Sequence, residues 1–471
     1  MSARGRHRLP PGPTLLPLIG NALHVPQDYP WLTYSEWANI YGDIIHLDVL
    51  GKSLIIINSE EIAKDLLDKR SAKYSDRPRL VTGFDRFFVL QPYNDQWRNR
   101  RRIMAQGFSQ TNIGAYHGIQ EAAACRLVSS IIDDPNGYVS HIKLNIASII
   151  VRATYGYDAK HLDDPMIAIP LKSMQNFDEA SVPAVRYLPS WLPGTEFMKV
   201  AKRMRQEGYN ATWNIYLWCK KNLGTSVLTP SLCASILSNT EDTLSKEDEA
   251  NLAWSASTAM GGGLDTNMSI ILTFILAMIH YPEVQKRAQA EIDTVIGTDK
   301  LPTISDRPSL PYVRSVIAET FRWQPPVPLC VVHSMSEADE YHGFHLPNGS
   351  MVIPNVWHML HDPRQYPEPM AFKPERFRND DAQMARAIGL AFGFGRRACP
   401  GSHFAEGSVF AIIATILACC DISPALDAHG NAIIPDVEYT SGLIVFPKDF
   451  KCDIKPRSSQ ARSLLTQTVE M

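Results

Sequence analysis

The sequence predicts a mainly α-helical protein with a small β-rich region, and three observations support this fold class. From about residue 96, apolar side chains recur with helical spacing for over two hundred residues. Residues 44–50 alternate between apolar and polar side chains, and residues 54–57 return after a tight turn, as in a β-hairpin. A strand-like run at 329–332 follows a break rich in proline. We therefore expect the helices to hold the main core and the strands to form a smaller unit.

The composition indicates one globular domain that does not bind nucleic acid. Of the 471 residues, 45% are hydrophobic and 20% are charged, and the formal net charge is −3. No linker rich in Ser, Gly or Pro divides the chain. We expect a single domain over residues 1–456, which includes a basic, proline-rich leader at 1–13, and a polar, frayed tail at 457–471. The protein is predicted to be a monomer.

Cysteine usage and the N-terminus both bear on location. The eight cysteines form no C-x-x-C pair and no regular framework, which favours reduced thiols in a cytosol-facing protein and argues against a zinc site. The apolar run at 15–19 is too short to span a membrane, so the sequence predicts no transmembrane anchor. Residues 182–206 mix aromatic and basic side chains. They form either a segment that touches a membrane surface or an ordinary amphipathic helix with the loop before it.

The first basic helix carries a pair of residues that can bind an anion. Helices are predicted at 28–41 and 60–69, around the hairpin, and a third follows the turn that ends at Asp95. In this third helix Trp97 and Arg101 lie four residues apart, on one face. A run of arginines is commonly a solvated helix face. Alternatively, the indole N–H and the guanidinium both donate hydrogen bonds to one anion.

The most apolar helix is predicted at 250–279, and Pro282 ends it. Its length suits a membrane span, but the glycines at 261–263 and the polar pair Asp265 and Thr266 argue against one. Each glycine costs a helix about 1 kcal/mol relative to alanine, and close approach of a ligand to the backbone is one reason for them. The carboxylate and the hydroxyl then supply proton chemistry. A kinked core helix, in which Thr266 bonds back to the preceding turn, is the alternative.

Two further segments carry charged or titratable side chains whose role the local pattern leaves open. Glu319 and Arg322 lie three apart on a helix that ends at a proline pair, and Arg376 follows in a Pro-Glu-Arg-Phe segment. An exposed ion pair of this spacing is common and contributes little stability. His333 lies at the end of the strand-like region, and a single histidine is more often a structural hydrogen-bond donor than a ligand.

Cys399 is placed where a metal ligand is expected. An apolar run with helical spacing starts at Phe404, so Cys399 is predicted to be the N-cap of that helix and Pro400 its first residue. The free N–H groups and the dipole of the helix would favour the thiolate form of the cysteine. Phe392 is expected to keep water off the sulfur. Three nearby glycines lack side chains, so that backbone N–H groups and a flat macrocycle can approach: Gly393, Gly395 and Gly401.

These segments together resemble one enzyme family. Residues 392–401 match Phe-x-x-Gly-x-Arg-x-Cys-x-Gly at every defined position, which resembles the heme-binding loop of the cytochrome P450 monooxygenases. Residues 262–266 resemble the family's [Ala/Gly]-Gly-x-[Asp/Glu]-Thr motif, and residues 97–101 resemble its W-x-x-x-R pair. Residues 319–322 are similar to its E-x-x-R motif. The spelling looks most like that of fungal members associated with secondary metabolism or xenobiotic oxidation.

The resemblance implies the P450 fold and a heme b cofactor whose iron is bound by a cysteine thiolate. Cys399 would be the axial ligand, and Asp265 with Thr266 would deliver protons and bind oxygen on the opposite face. The remaining site residues divide into those that hold the heme, namely Trp97, Arg101, His333, Phe392, Gly395, Arg397 and Gly401, and a structural clamp of Glu319, Arg322 and Arg376.

The implied reaction inserts one atom of O2 into a hydrophobic small molecule such as a terpenoid, a polyketide or an aromatic compound. The chain contains no G-x-G-x-x-G after a strand, so electrons from NADPH would arrive through a separate NADPH–cytochrome P450 reductase. A heme-thiolate enzyme that uses peroxide or rearranges its substrate is one alternative, and a non-catalytic heme sensor is another. The expected location is the cytoplasm or, by peripheral attachment, the cytosolic face of the endoplasmic reticulum.

Overall fold

Helices make up most of the protein, as the sequence predicts. The computed structural model describes residues 8–78, 84, 86–179, 196–239, 244–378 and 380–470. The helices are α1 (Pro30–Tyr41), α2 (Glu60–Ala63), α3 (Ser71–Tyr74), α4 (Asp95–Phe108), α5 (His117–Asp133), α6 (Tyr138–Tyr155), α7 (Pro165–Glu179), α8 (Glu196–Lys221), α9 (Leu232–Ser238), α10 (Lys246–His280), α11 (Pro282–Val295), α12 (Pro311–Trp323), α13 (Val356–Leu360), α14 (Asp381–Ala391), α15 (Ser402–Cys419) and α16 (Ser459–Glu470).

The strands of the described residues form three small sheets, and the predicted hairpin belongs to the first. The strands are β1 (Ile44–Val49), β2 (Lys52–Ile57), β3 (His333–Ser334), β4 (Asp339–Tyr341), β5 (Phe344–Leu346), β6 (Met351–Pro354), β7 (Cys420–Leu426), β8 (Ala432–Ile433) and β9 (Cys452–Pro456). The first sheet has the order β1-β2-β6-β3, with β2 and β6 parallel and the other pairs antiparallel. Because β3 pairs with β6, this sheet fixes the backbone of His333 beside the main helical core.

Helix α10 lies at the centre of the fold. The Ser245 hydroxyl caps it by accepting the Asp248 N–H at 3.1 Å, and three acidic residues in the first turn favour the same end. The helix ends just before Pro282 starts α11, as predicted. Its residues pack against α4, α6 and α15. The three glycines do not interrupt it, so the expectation of a kink is not needed to explain them.

Two helices of the described residues are long and apolar enough to cross a membrane by composition alone. These are α10 and α15, and 72% of the most apolar stretch of each is buried within the protein. Burial of this extent is typical of core helices, and it explains their hydrophobicity without a bilayer. Most of the segment predicted to touch a membrane, residues 182–195, lies outside the described residues.

The C-terminus differs from the prediction. Residues expected to form a frayed tail instead form helix α16, in which Ala461 and Leu465 are buried against α5. Arg457, just before this helix, pairs with Asp293 at 2.6 Å. The sequence is polar overall, but these few apolar residues lie on one helix face and bind it to the core. The description of the segment as frayed is therefore wrong.

Candidate active site and cofactor cavity

The Cys399 side chain opens onto an internal cavity between α10 and α15. A loop after α14 carries the cysteine, and the Cys399 N–H donates to the Phe392 carbonyl at 2.9 Å. Helix α15 starts at Ser402 and its N-cap is Gly401, so the prediction that Cys399 caps the helix is wrong. The cysteine lies two residues before the N-cap, after a 3₁₀ turn at Gly395–Arg397. The helix end still acts on the thiol through the Gly401 N–H.

Opposing effects act on the Cys399 thiol. Burial raises its pKa above the ordinary value, and the hydrogen bond from the Gly401 N–H and the nearby Arg101 guanidinium offset this only in part, so the prediction that the protein itself favours the thiolate is wrong. A bound cation would add to the second group of effects, because a metal ion deprotonates a coordinating thiol. The site therefore suits a thiolate that is paired with a metal.

The glycines of the loop have different roles. A Cβ on Gly401 would lie 4.0 Å from the Cys399 sulfur, which is an ordinary van der Waals contact beside the thiol. Gly395 has a φ of +53°, and a Cβ there would lie 2.1 Å from the Leu67 carbonyl oxygen. This position requires glycine for packing against a neighbouring helical turn, not for approach of a macrocycle. Phe392 lines the cavity and packs against Phe321, with ring centroids 5.5 Å apart.

Trp97 presents a hydrogen-bond donor that no described residue accepts. The Asn94 side chain caps α4 by accepting the Trp97 backbone N–H at 2.9 Å, and the indole is 4% exposed. Its ring stacks on Phe88 at 5.1 Å, and its Nε1 is buried without a partner. One turn later, Arg101 donates to the Ala398 carbonyl at 2.5 Å, so it reaches the cysteine loop. Leaving a buried donor unpaired is costly, which points to an acceptor supplied by a ligand.

Arg397 provides a second unpaired donor beside Trp97. Its Nε donates to the Ser75 carbonyl and its Nη2 to the Gln91 carbonyl, both at 2.7 Å, whereas Nη1 is buried without a partner. The guanidinium lies over the Trp97 ring at 4.5 Å. Burial lowers the pKa of Arg397 to about 9, because its hydrogen bonds and its contact with Trp97 do not fully replace water around the charge. His333 contacts the Tyr74 carbonyl through Nδ1 at 2.9 Å, and burial lowers the pKa of its imidazole well below 6.5.

Arg77 lines the same cavity and was missed in the sequence. It is buried, and its three hydrogen bonds all go to carbonyl groups, those of Val89, Val331 and Val332. Burial lowers the pKa of Arg77 to about 10. Nothing in the local pattern marks the residue, because two of its three acceptors, Val331 and Val332, lie in a distant segment.

These side chains fit a planar dianionic cofactor such as heme. Within the described residues, Arg77, Arg101 and Arg397 form no ion pair with a carboxylate, although burial disfavours their charges. The unpaired Trp97 Nε1 and Arg397 Nη1 add two donors. Anionic propionates would satisfy both the charges and the donors, while the thiol could bind the iron from the cysteine loop.

The opposite face of the cavity is formed by α10 and its glycines. A Cβ on Gly261 would lie 2.4 Å from the Met174 sulfur, and one on Gly263 would lie 2.9 Å from Ile150 Cδ1. Only at Gly262 would a Cβ meet nothing within 4 Å. Approach of a ligand therefore accounts for Gly262 alone, whereas the other two glycines allow close packing of neighbouring side chains.

The polar pair on α10 is divided between two environments. Thr266 lines the cavity, and its hydroxyl donates to the Gly262 carbonyl at 2.8 Å, so the back-bond considered in the sequence is present. The hydroxyl oxygen keeps lone pairs that can accept a further hydrogen bond. Asp265 is half-buried and does not line the cavity. Thr266 therefore lines the cavity, whereas Asp265, the residue before it, lies outside the cavity lining.

Comparison with known proteins identifies the fold and the family. The sequence matches the cytochrome P450 family over residues 10–443. Cytochrome P450 monooxygenase 105 of Postia placenta is 52% identical, over 98% of this chain and 92% of that protein. The chain belongs to the cytochrome P450 family. Cytochrome P450 monooxygenase claR of Ampulloclitocybe clavipes is 37% identical, over 98% of this chain and 88% of that protein.

The structural comparison agrees with this P450 assignment. A zebrafish cytochrome P450 solved with progesterone superposes with a TM-score of 0.75, over 91% of this chain and 99% of that one, at 22% sequence identity. The predicted fold is therefore confirmed. Because its relatives are fungal monooxygenases, this P450 is an oxidoreductase of the heme-thiolate class.

The predicted clamp of this P450 is a buried ion-pair cluster. Glu319 accepts hydrogen bonds from Arg322 Nε at 2.7 Å and Nη2 at 2.9 Å, and from Arg376 Nε at 3.1 Å. The side chains of Glu319 and Arg322 have no solvent exposure. The cluster joins α12 to the 3₁₀ turn at Pro374–Phe377, and the interpretation of the pair as exposed does not hold.

The remaining cavity wall is largely apolar. Phe87 and Phe88 line it, whereas Phe84 does not line it and packs against Phe87, with ring centroids 5.4 Å apart. Residues 79–83, 85 and 180–195 lie outside the described part of the chain. The other wall residues come from α7, α10 and two C-terminal segments, and include Met174, Thr258, Ala259, Val327, Cys330, Val331, Leu443 and Ile444.

Proposed function

We propose that this P450 inserts one oxygen atom from O2 into a neutral, hydrophobic small molecule, with electrons from NADPH delivered by a separate reductase. One observation carries the proposal: the Cys399 thiol and the Thr266 hydroxyl line the same apolar cavity from opposite sides. A substrate in that cavity would lie between the cofactor and α10. The heme, when bound, supplies the one-electron and oxygen chemistry.

The protein's part is to bind and orient the cofactor. Cys399 would ligate the iron, and Trp97 and Arg397 would donate their unpaired hydrogens to the propionates. Arg101, His333 and the newly identified Arg77 would complete that anchor. Phe392, Gly395 and Gly401 would shape the loop that carries the ligand. The cluster of Glu319 with its two arginines would hold α12 in place without a chemical role.

Proton delivery is assigned to the polar pair on α10. Thr266 is available to accept a hydrogen bond inside the cavity, because its own hydrogen is used on the Gly262 carbonyl. Asp265 would exchange protons with water on the outer side of the helix and pass them toward Thr266. This arrangement favours reductive use of O2 over direct use of peroxide, since peroxide already carries the protons and electrons.

The charge distribution of the wall supports a neutral substrate. In the described part of the chain, no carboxylate and no lysine lines the cavity, and its two arginines lie at the end assigned to the propionates. The other wall groups are mostly hydrocarbon or aromatic. A terpenoid, polyketide or aromatic compound would therefore be preferred to a fatty acid.

Exposed side chains support two further parts of the proposal, a surface that faces the reductase and an edge that faces a membrane. Arg98, Arg102 and Arg396 are exposed near the cysteine loop and would face an acidic surface of the reductase. Leu18 is fully exposed and Leu23 is 77% exposed, close to the hairpin turn. This apolar edge would rest on the cytosolic face of the endoplasmic reticulum.

The proposal is tested by a substrate panel with the purified heme protein. Neutral terpenoids and aromatic compounds are compared with fatty acids, each with NADPH and added P450 reductase or with hydrogen peroxide alone. We expect an oxygenated product from a neutral compound only when reductase and NADPH are present. Products formed equally well with peroxide alone would overturn the assigned route, and absence of any product across the panel would favour the non-catalytic alternative.

A further inference from the structure

A short wall segment of the cavity, residues 86–91, is held by side chains from four separate elements. Each of these side chains binds a backbone group of the segment instead of a side chain. The four contacts are Arg100 to the Arg86 carbonyl, Thr258 to the Phe88 N–H, Arg77 to the Val89 carbonyl and Arg397 to the Gln91 carbonyl. Three of the four anchors are arginines, of which Arg77 and Arg100 are buried, and Arg77 and Arg397 belong to the proposed cofactor anchor. Thr258 is the one anchor that belongs to α10.

The Thr258 hydroxyl joins the wall segment to α10 at the cavity surface. It donates to the Trp254 carbonyl at 2.8 Å, one turn earlier in the helix, and accepts the Phe88 N–H at 3.2 Å. The first bond fixes the direction of the hydroxyl, so that a lone pair is directed at Phe88. Both Thr258 and Phe88 are buried, and both line the cavity.

The wall segment that makes this hydrogen bond carries two phenylalanine rings, and each ring packs against a different tryptophan. Phe87 packs edge-on against Trp254 of α10, with ring centroids 5.3 Å apart. Phe88 stacks on Trp97 at 5.1 Å with an interplanar angle of 14°. The Phe88 N–H thus belongs to the short backbone stretch that carries both cavity-lining rings.

We propose that Thr258 is a positioning residue that determines which ring-containing ligands fit above the heme, through the Phe88 backbone. The inference rests on the proposed function for the place of the heme, but it does not depend on the identity of the substrate. Without the acceptor, the Phe88 N–H is left buried and unpaired, and the wall segment shifts to satisfy it. The two phenylalanine rings then leave the positions that shape the cavity.

The test uses Thr258→Val, which keeps the shape of the side chain but removes the oxygen. Thr258→Ser restores the oxygen and removes only a methyl group. Thr415→Val is a matched control, because Thr415 is buried and donates to the Ala411 carbonyl at 2.7 Å but does not line the cavity. Each heme-loaded variant is titrated with imidazole and with 4-phenylimidazole, and nitrogen ligation is followed by the absorbance spectrum.

We expect Thr258→Val to weaken 4-phenylimidazole binding about tenfold and to leave imidazole binding unchanged, because only the phenyl ring reaches the wall. Thr258→Ser and Thr415→Val should bind both ligands as the parent protein does. Unchanged 4-phenylimidazole binding in Thr258→Val would overturn the proposal, and so would an equal loss for both ligands. Neither result bears on turnover, so failure here is distinct from failure of the proposed monooxygenase reaction.

Discussion

Replacement of Glu319 by glutamine should destabilise the protein more than replacement of its partner Arg376 by glutamine. Glu319 accepts four hydrogen bonds, three from the guanidiniums of Arg322 and Arg376 and one from the Lys373 N–H at 2.7 Å. Glu319→Gln keeps the shape but leaves two guanidiniums without a carboxylate. It also turns an amide N–H2 toward one of them.

The magnitude follows from the burial of Arg322. Its side chain has no exposure, so water cannot solvate the charge once the carboxylate is lost. Among the described residues, its other acceptors are the carbonyls of Leu360 and Ala371. Removal of one partner from a buried ion pair costs about 3–5 kcal/mol, which is a large part of the stability of a typical domain.

Arg376→Gln is the matched control for this experiment. It removes one arginine from the same cluster but leaves Glu319 and Arg322 as a balanced pair, so the expected loss is about 1–2 kcal/mol. The free energy of unfolding is measured for the heme-loaded proteins by urea titration at pH 7, followed by far-UV circular dichroism. Equal losses for the two variants, or a loss below about 1 kcal/mol for Glu319→Gln, would refute the electrostatic reasoning.

Three further predictions concern the cofactor, pH and the membrane. Trp97→Phe keeps the stacked ring but removes Nε1, so heme transfer to excess apo-globin should be about tenfold faster. Burial lowers the pKa of His361 from 6.5 to about 3. As the pH drops below 6.5, this histidine is protonated in the unfolded chain but not in the folded protein, so the free energy of unfolding falls. By pH 5 the loss is about 2 kcal/mol, and His361→Gln should remove it in urea titrations. Leu18→Ser combined with Leu23→Ser should reduce co-flotation with anionic vesicles. Leu426→Ser should not, because Leu426 is an exposed leucine at the end of β7 and not part of the apolar edge.

Local patterns predicted the elements that depend on neighbouring residues. The alternation at β1 and β2, the apolar run of α10 and the loop around Cys399 are all encoded within short stretches. The N-cap was misplaced by two residues because Pro400 also suits the first helical turn, and only the backbone angles show that Gly401 has that role.

Contacts between distant segments could not be predicted from spacing. Arg77 donates to the Val331 carbonyl, 254 residues away, and nothing near Arg77 distinguishes it from a surface arginine. Gly395 was assigned to the cofactor, but its reason is the Leu67 carbonyl, which belongs to another element. Similarly, α16 owes its order to burial of Leu465 against α5, which the polar composition of the segment conceals.

The central claim is that Cys399 supplies the axial thiolate of the heme. The most direct measurement is the ferrous–CO spectrum of the parent protein, of Cys399→His and of Cys330→Ser, the last of which changes the other cysteine that lines the cavity. We predict a red-shifted Soret band typical of thiolate ligation in the parent and in Cys330→Ser, and its loss in heme-loaded Cys399→His. Retention of that band in Cys399→His, or its absence from the parent protein, would contradict the assignment.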